Sequence, residues 1–297
     1  MLCVGIIYQG QPIGTLQLFT DESRQFTQFE VDLVRAIAQL LTTAIEKTRL
    51  DETRQENQKM LRQLHLAADV QRRMLPRKMP ELSGYDIAAR YVPSLELSGD
   101  FYDFINLDHS LGVALGDVVG KGVAASLLMA SARSALRAYA QDVYDLDEVI
   151  ARVNHHLCRD TLDTEFITLW YGTLDRSAGR LTYCNAGHEA PLVVRGGELI
   201  PLDIGGMIVG VDRDQTYEKG VWDFEPGDVL LLYTDGLPDA MNAEGERFGR
   251  ERTERLLLEV ADRSANDALN HILWTVRQHT GSRRATDDTT LIVVKAQ

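Results

Sequence analysis

Residues 111–130 read LGVALGDVVGKGVAASLLMA, and the fold of the larger part of the chain turns on them. An apolar run, LGVAL, stops at Gly116-Asp117, crosses a glycine-rich turn and enters a stretch from Ala124 to Ala140 free of glycine and proline. This pattern predicts a buried strand, an acidic turn at the strand's end, and a helix. The glycines invite comparison with a nucleotide-binding loop, which needs four residues between its glycines and Ser or Thr after the lysine. Here Gly116 and Gly120 enclose three, and Gly122 follows Lys121, so the match fails.

The same device recurs along the chain. Ser98-Gly99-Asp100, Gly116-Asp117, Thr234-Asp235-Gly236 and Thr286-Asp287-Asp288 each put Asp in or beside a turn at a strand end. Turn chemistry explains any one of them, because glycine tolerates positive φ and Asp bonds nearby backbone. Asp117 and Asp235, however, each follow a long apolar strand (LGVAL and VLLLYT), where a solvated turn has no need of a rigidly held carboxylate. Together the four turns read as one metal site. Oxygen-only donors select hard cations such as Mg²⁺ or Mn²⁺ over zinc. Two such ions about 4 Å apart can activate a water and clamp a phosphoryl group. Without cations the gathered carboxylates repel, so their pKa values should be raised.

Outward from this centre the pattern is one of short strands and separate helices. Strands are expected in DIAARYV, FYDFINL and LGVALGDV, then at Phe166 to Leu174, Arg180 to Cys184, Pro191 to Arg195, Tyr217 to Trp222 and Val229 to Tyr233. A helix capped by Asp145, two later helices and a last strand, TTLIVVK, complete the reading. Hairpin-like succession with helices held apart implies an α+β fold, antiparallel sheets covered by helices. Towards the start, LCVGIIY and IGTLQLF flank the turn Gln9-Gly10-Gln11-Pro12 as a hairpin. Thr27 should cap a helix whose Val31, Val34, Ile37, Ala38, Leu41 and Ile45 form a buried stripe. No Pro or Gly interrupts Glu46 to Arg73, where Met60, Leu64, Ala67 and Met74 continue a seam, and Pro76 and Pro80 end the helix.

A formal charge of -13 argues against nucleic acid as partner, since that binding relies on clustered Lys and Arg. Cys3, Cys158 and Cys184 lack disulfide or zinc spacing and fit a reducing compartment. No apolar stretch reaches the ~20 residues needed to cross a bilayer, and the opening MLCVGIIYQGQPIG has no basic leader. No membrane contact and a cytoplasmic location are expected.

LSGDFYDF, GDVVGKGVAASLLMA, YCNAGHEAPLVV, GDVLLLYTDGLPDAMN and ATDDTTLIVV occur in the order found in the SpoIIE/RsbU branch of PPM-type serine/threonine phosphatases, which residues 66 to 297 resemble. The resemblance implies an αββα sandwich with two Mn²⁺ or Mg²⁺ ions at one end of the sheets. By it, Asp117 resembles the ligand bridging both metals, with the Val118 carbonyl beside it; Asp235 and Asp287 resemble the other principal carboxylates. Asp100 resembles an auxiliary ligand, with Asp103 and Asp288 as neighbours, and Asp117 and Asp235 carry catalysis. The wider family's His after the central Asp-Gly is Val119 here, and no Arg directly precedes Asp100, so phosphate falls to the metals with Lys121, Arg283 and Arg284. His188 can serve as an acid or as a strand-turn brace, with the brace favoured, and His155 and His156 should lie on different sides of a helix.

The segment QRRMLP also resembles this branch, which makes Met74 and Leu75 regulatory residues that pass a signal to the metal site. Residues 1–48 resemble the closing part of a GAF domain, giving three segments: a GAF fragment at 1–48, a helical linker at 49–76 and the phosphatase domain at 77–297. The implied substrate is a phosphorylated STAS-domain protein in partner switching, and the linker helix suits a homodimer. The competing reading is a catalytically weak module that signals by association through its helix.

Overall fold

The computed structural model describes residues 1–297 apart from Asp163 and Arg284. The chain forms two compact units, residues 1–65 and 66–297.

In the first unit β1 (Leu2–Tyr8) and β2 (Gln11–Leu18) pair as an antiparallel hairpin. Helix α1 (Gln28–Met74) starts at a reciprocal cap: the Glu30 amide donates to the Thr27 hydroxyl at 3.3 Å, and the Thr27 amide donates to the Glu30 carboxylate at 2.8 Å. The expected stripe is only partly covered. Val34 and Ala38 are buried, whereas Ile37 and Ile45 are exposed, because a two-stranded hairpin offers too little surface to cover a whole helix face.

Without an internal breaker α1 runs unbroken to Met74, ahead of Pro76. Its expected seam shifts register: Met60 and Ala67 are exposed, while Ala68, Gln71 and, just past the helix, Leu75 are buried. The buried face therefore contains a polar Gln. Leu75, expected to act as a regulatory residue beside the partly buried Met74, packs into the main core.

The second unit holds β3 (Tyr85–Val92), β4 (Phe101–Asn106), β5 (Ser110–Val118), α2 (Val123–Asp142), α3 (Leu146–Leu157), β6 (Ile167–Asp175) and β7 (Arg180–Ala186). There follow β8 (Leu192–Arg195), β9 (Glu198–Pro201), β10 (Gly205–Gly206), β11 (Gly220–Asp223), β12 (Val229–Tyr233), α4 (Arg250–Val260), α5 (Ala265–Thr280) and β13 (Thr289–Ala296). One sheet has the order β10-β7-β6-β5-β4 with β11 also on β7; the other is β3-β13-β12-β8-β9. All pairs are antiparallel except β10 with β7. The edge strands β9 and β10 escape a sequence reading because they are too short to show a period. Asp145 precedes α3 as expected, but its carboxylate pairs with Lys219 at 3.3 Å and does not cap a helix amide.

Helices α2 and α3 cover the first sheet, and α4 and α5 the second. The second sheet shows why VLLLY is apolar throughout. Leu230 and Leu232 join Ile292, Val294 and the first sheet in one core, while Val229, Leu231 and Tyr233 join Val293 and α4 and α5 in another. A strand with side chains alternating between two dry layers has no polar face to show. The result is the αββα sandwich, and among the described residues no helix is long and apolar enough to cross a membrane.

Candidate active site

Strand register gathers the acidic turns. Phe101 pairs with Gly116, so continuing the ladder by one step sets Asp100 opposite Asp117 at one end of the first sheet. In the second sheet Tyr233 pairs with Leu291, and the ladder extends through the Thr234 amide, which donates to the Thr290 carbonyl at 3.1 Å. Asp235 and Asp287-Asp288 therefore emerge from neighbouring strands. Gly236 is a steric requirement of this crossing: a Cβ there would lie 1.8 Å from the Asp288 carbonyl oxygen. Gly99 serves likewise in the other sheet, where a Cβ would lie 2.8 Å from the Val118 carbonyl oxygen.

The two sheets are joined at this end by Asp100, which is 1% exposed. Its Oδ2 accepts from the Thr234 hydroxyl at 2.8 Å and the Thr290 hydroxyl at 2.6 Å. Asp288 is also committed to the backbone, accepting from the Ser94 amide at 2.7 Å, the Ser94 hydroxyl at 2.8 Å and the Gly99 amide at 3.2 Å.

The remaining carboxylates face one another. Burial first, and then the charge of Asp235, raises Asp117 to about 7, with Asp287 and Asp288 adding to the rise. Burial, then Asp287, Asp239 and Glu189, raises Asp235 to about 6, while Lys121 pulls it down. Asp100 is held well above the carboxylate range by burial and by Asp117, against the hydroxyl donors. Raised values from shared negative charge mark a place where a cation would relieve repulsion.

Other expected residues fall differently. Asp103 does not join the cluster: its buried carboxylate meets Arg133 at 3.0 Å and Arg137 at 2.7 Å, both on α2. The reason is the strand period, since residues three apart point to opposite faces, and Asp103 faces the helix where Asp100 faces the second sheet. Lys121 forms an ion pair with Asp287 at 2.9 Å and donates to the Thr286 carbonyl. Arg283 donates to the Asn242 carbonyl at 2.7 Å, and Arg284 lies outside the described residues. His188 is a brace: its Nδ1 meets the Thr168 hydroxyl at 2.7 Å, its amide donates to Asn185 at 2.7 Å, and burial lowers its pKa to about 4. His155 and His156 part as expected, towards Arg213 and Ser131 respectively.

Three contributors escaped the sequence reading. Thr234 and Thr290 adjoin the acidic motifs but look like ordinary turn residues. Gln71, 5% exposed, donates to the Ser98 carbonyl at 2.7 Å and accepts from the Ser98 amide at 3.2 Å, tying the end of α1 to the Asp100 turn.

Among the described residues no three His, Cys, Asp or Glu side chains form a closed metal-binding group. Their present partners explain this: hydroxyls hold Asp100, backbone amides hold Asp288, and an ammonium holds Asp287. The donor chemistry nevertheless fits a hard divalent cation, being oxygen throughout, partly buried and short of positive charge at Asp117 and Asp235.

This sandwich is the fold of PP2C-type phosphatase domains: the SiaA-PP2C domain of Pseudomonas aeruginosa superposes with a TM-score of 0.73 at 21% identity, covering 82% of this chain and 98% of that one. The chain belongs to the SpoIIE family of these phosphatases, whose description, Stage II sporulation protein E, matches residues 107–297. It is 33% identical to Protein IcfG of Synechocystis sp. (strain ATCC 27184 / PCC 6803 / Kazusa), over 78% of this chain and 41% of IcfG. It is 27% identical to the phosphoserine phosphatase RsbU of Bacillus subtilis (strain 168), over 80% of this chain and 71% of RsbU. The match thus spans less than half of one relative and under three quarters of the other.

Proposed function

We propose that this chain is a divalent-cation-dependent phosphatase acting on phosphoserine or phosphothreonine of a regulatory protein, by family resemblance a STAS-domain protein in partner switching. The observation that carries the reading is the meeting of Asp100 and Asp117 from one sheet with Asp235 and Asp287 from the other, with Asp117 raised to about 7 by burial and like charge.

In this reading Asp117 and Asp235 hold two Mn²⁺ or Mg²⁺ ions, with Asp287 and the Val118 carbonyl completing the set and Asp100 behind Asp117. Such ions supply Lewis-acid charge to phosphoryl oxygens and acidify water. The protein's part is placement. Thr234 and Thr290 fix the Asp100 carboxylate, and Asp100 in turn faces Asp117. Lys121 stands at the outer edge of the cluster, where an ammonium can meet a phosphate dianion. His188 is buried and held neutral near pH 7, so it is not poised to protonate the leaving alkoxide.

The test is hydrolysis of p-nitrophenyl phosphate with Mn²⁺, followed by phosphorylated STAS proteins as substrates. Asp117→Asn and Asp235→Asn should each lower turnover by roughly 10²–10³-fold, the scale expected when a charge-stabilising group is removed. Equal turnover in both variants and the parent would sink the assignment of these residues. Failure of the parent to turn over either substrate would leave the association-only module as the better account.

A further inference from the structure

Lys121 sits between two glycines in left-handed conformations, Gly120 (φ 92°) and Gly122 (φ 79°). Neither has a heavy atom within 4 Å of where a Cβ would be, so the loop has room to move its single long side chain. That side chain, though part-exposed, folds back onto the acidic turn. Its ammonium lies 2.9 Å from Asp287 Oδ2 and donates to the Thr286 carbonyl, and it is close enough to Asp235 to lower that carboxyl's pKa. A carboxylate oxygen, a backbone carbonyl and a second carboxylate nearby are the kinds of oxygen that a hard cation takes as ligands.

We infer that Lys121 competes with a divalent cation for Asp287: its ammonium holds the carboxylate through the ion pair and gives it up when the cation binds. The inference rests on the reading of Asp287 as a cation ligand and goes beyond it, because it assigns the lysine a role before any phosphate arrives. A monovalent ammonium and a divalent ion a few ångströms apart repel, so the lysine must swing aside, and the flanking glycines permit that. The pair is about one-third exposed on both sides (36% and 38%), which makes it weak enough to be displaced. Once released, the amine remains beside the cluster and can turn to the phosphoryl group.

The experiment is calorimetric titration of the full chain with Mn²⁺ in the absence of substrate, comparing the parent with Lys121→Met, Lys121→Arg and Asp287→Asn. Lys121→Met keeps the length of the side chain without its charge and should bind one Mn²⁺ roughly 3- to 10-fold more tightly, the scale of one partly screened charge. Lys121→Arg should stay near the parent, and in the Asp287→Asn background the gain from Lys121→Met should shrink. If Asp287→Asn weakens Mn²⁺ binding while Lys121→Met leaves it unchanged or weaker, the competition is wrong and the ligand assignment stands. If the parent takes up no Mn²⁺, or Asp287→Asn binds as the parent does, both fail together.

Discussion

The inner and outer halves of the acidic cluster are built on opposite principles. Asp100 and Asp288 are buried and satisfied by the protein itself, through two threonine hydroxyls in one case and two backbone amides with a serine hydroxyl in the other. Asp117, Asp235 and Asp287 lie further out and repel one another, with Asp100 behind Asp117, Asp239 and Glu189 adding negative charge beside Asp235, and Lys121 as the cation paired with Asp287. The inner half is a structural joint between two sheets and should hold its shape in any medium. The outer half concentrates negative charge that only external cations can fully offset.

The widest separation between the halves should appear in stability. Thr290→Val removes a hydroxyl donor from buried Asp100 and should cost about 1–3 kcal/mol in urea denaturation, the penalty for stranding a buried polar group. A cost near zero would mean that the inner half is no joint.

A second contrast concerns pH in the presence of a chelator. Asp117 titrates at about 7 and Asp235 at about 6 in the folded chain, against about 4 for an unfolded Asp. The folded state therefore binds more protons across that window, and stability should fall as pH rises from about 4 to about 7, with the raised Asp100 acting in the same sense. Mn²⁺ should flatten the fall by replacing the lost protons. Melting temperatures recorded with and without the cation decide it, and a rise with pH in chelator would contradict the outer half's description.

The smallest effect belongs to Asp287→Asn, which breaks a part-exposed ion pair, relieves repulsion of Asp117 and Asp235, and keeps an amide oxygen that can accept from the Asp288 amide. Unfolding free energy without cations should change by less than about 1 kcal/mol. A loss as large as that of Thr290→Val would erase the distinction between the halves.

Much of this arrangement was legible in the letters. Apolar runs that end in Gly-Asp or Thr-Asp give both the strands and the positions of the carboxylates, because a strand buried on both faces leaves its end as the only wet part. Asp103 misled because proximity in sequence is not proximity on a strand: three steps reverse the face, and α2 supplies the arginines that take it. Gln71 was hidden for the opposite reason. A polar letter on an apolar seam suggests exposure, yet paired bonds to the Ser98 backbone allow its burial. Leu75 read as part of a signalling segment but lies in the core, so a polar substitution there would register as instability before it registered as regulation.

Gly236 sets a limit on how such a centre can diverge. The adjoining backbones meet so closely at this point that one methyl group would wedge the Asp235 turn away from the Asp288 turn. A descendant could keep each acid, both threonines and the lysine, and still be silent because of an alanine. Here hydrogen, the smallest possible substituent, sets the distance between the charges.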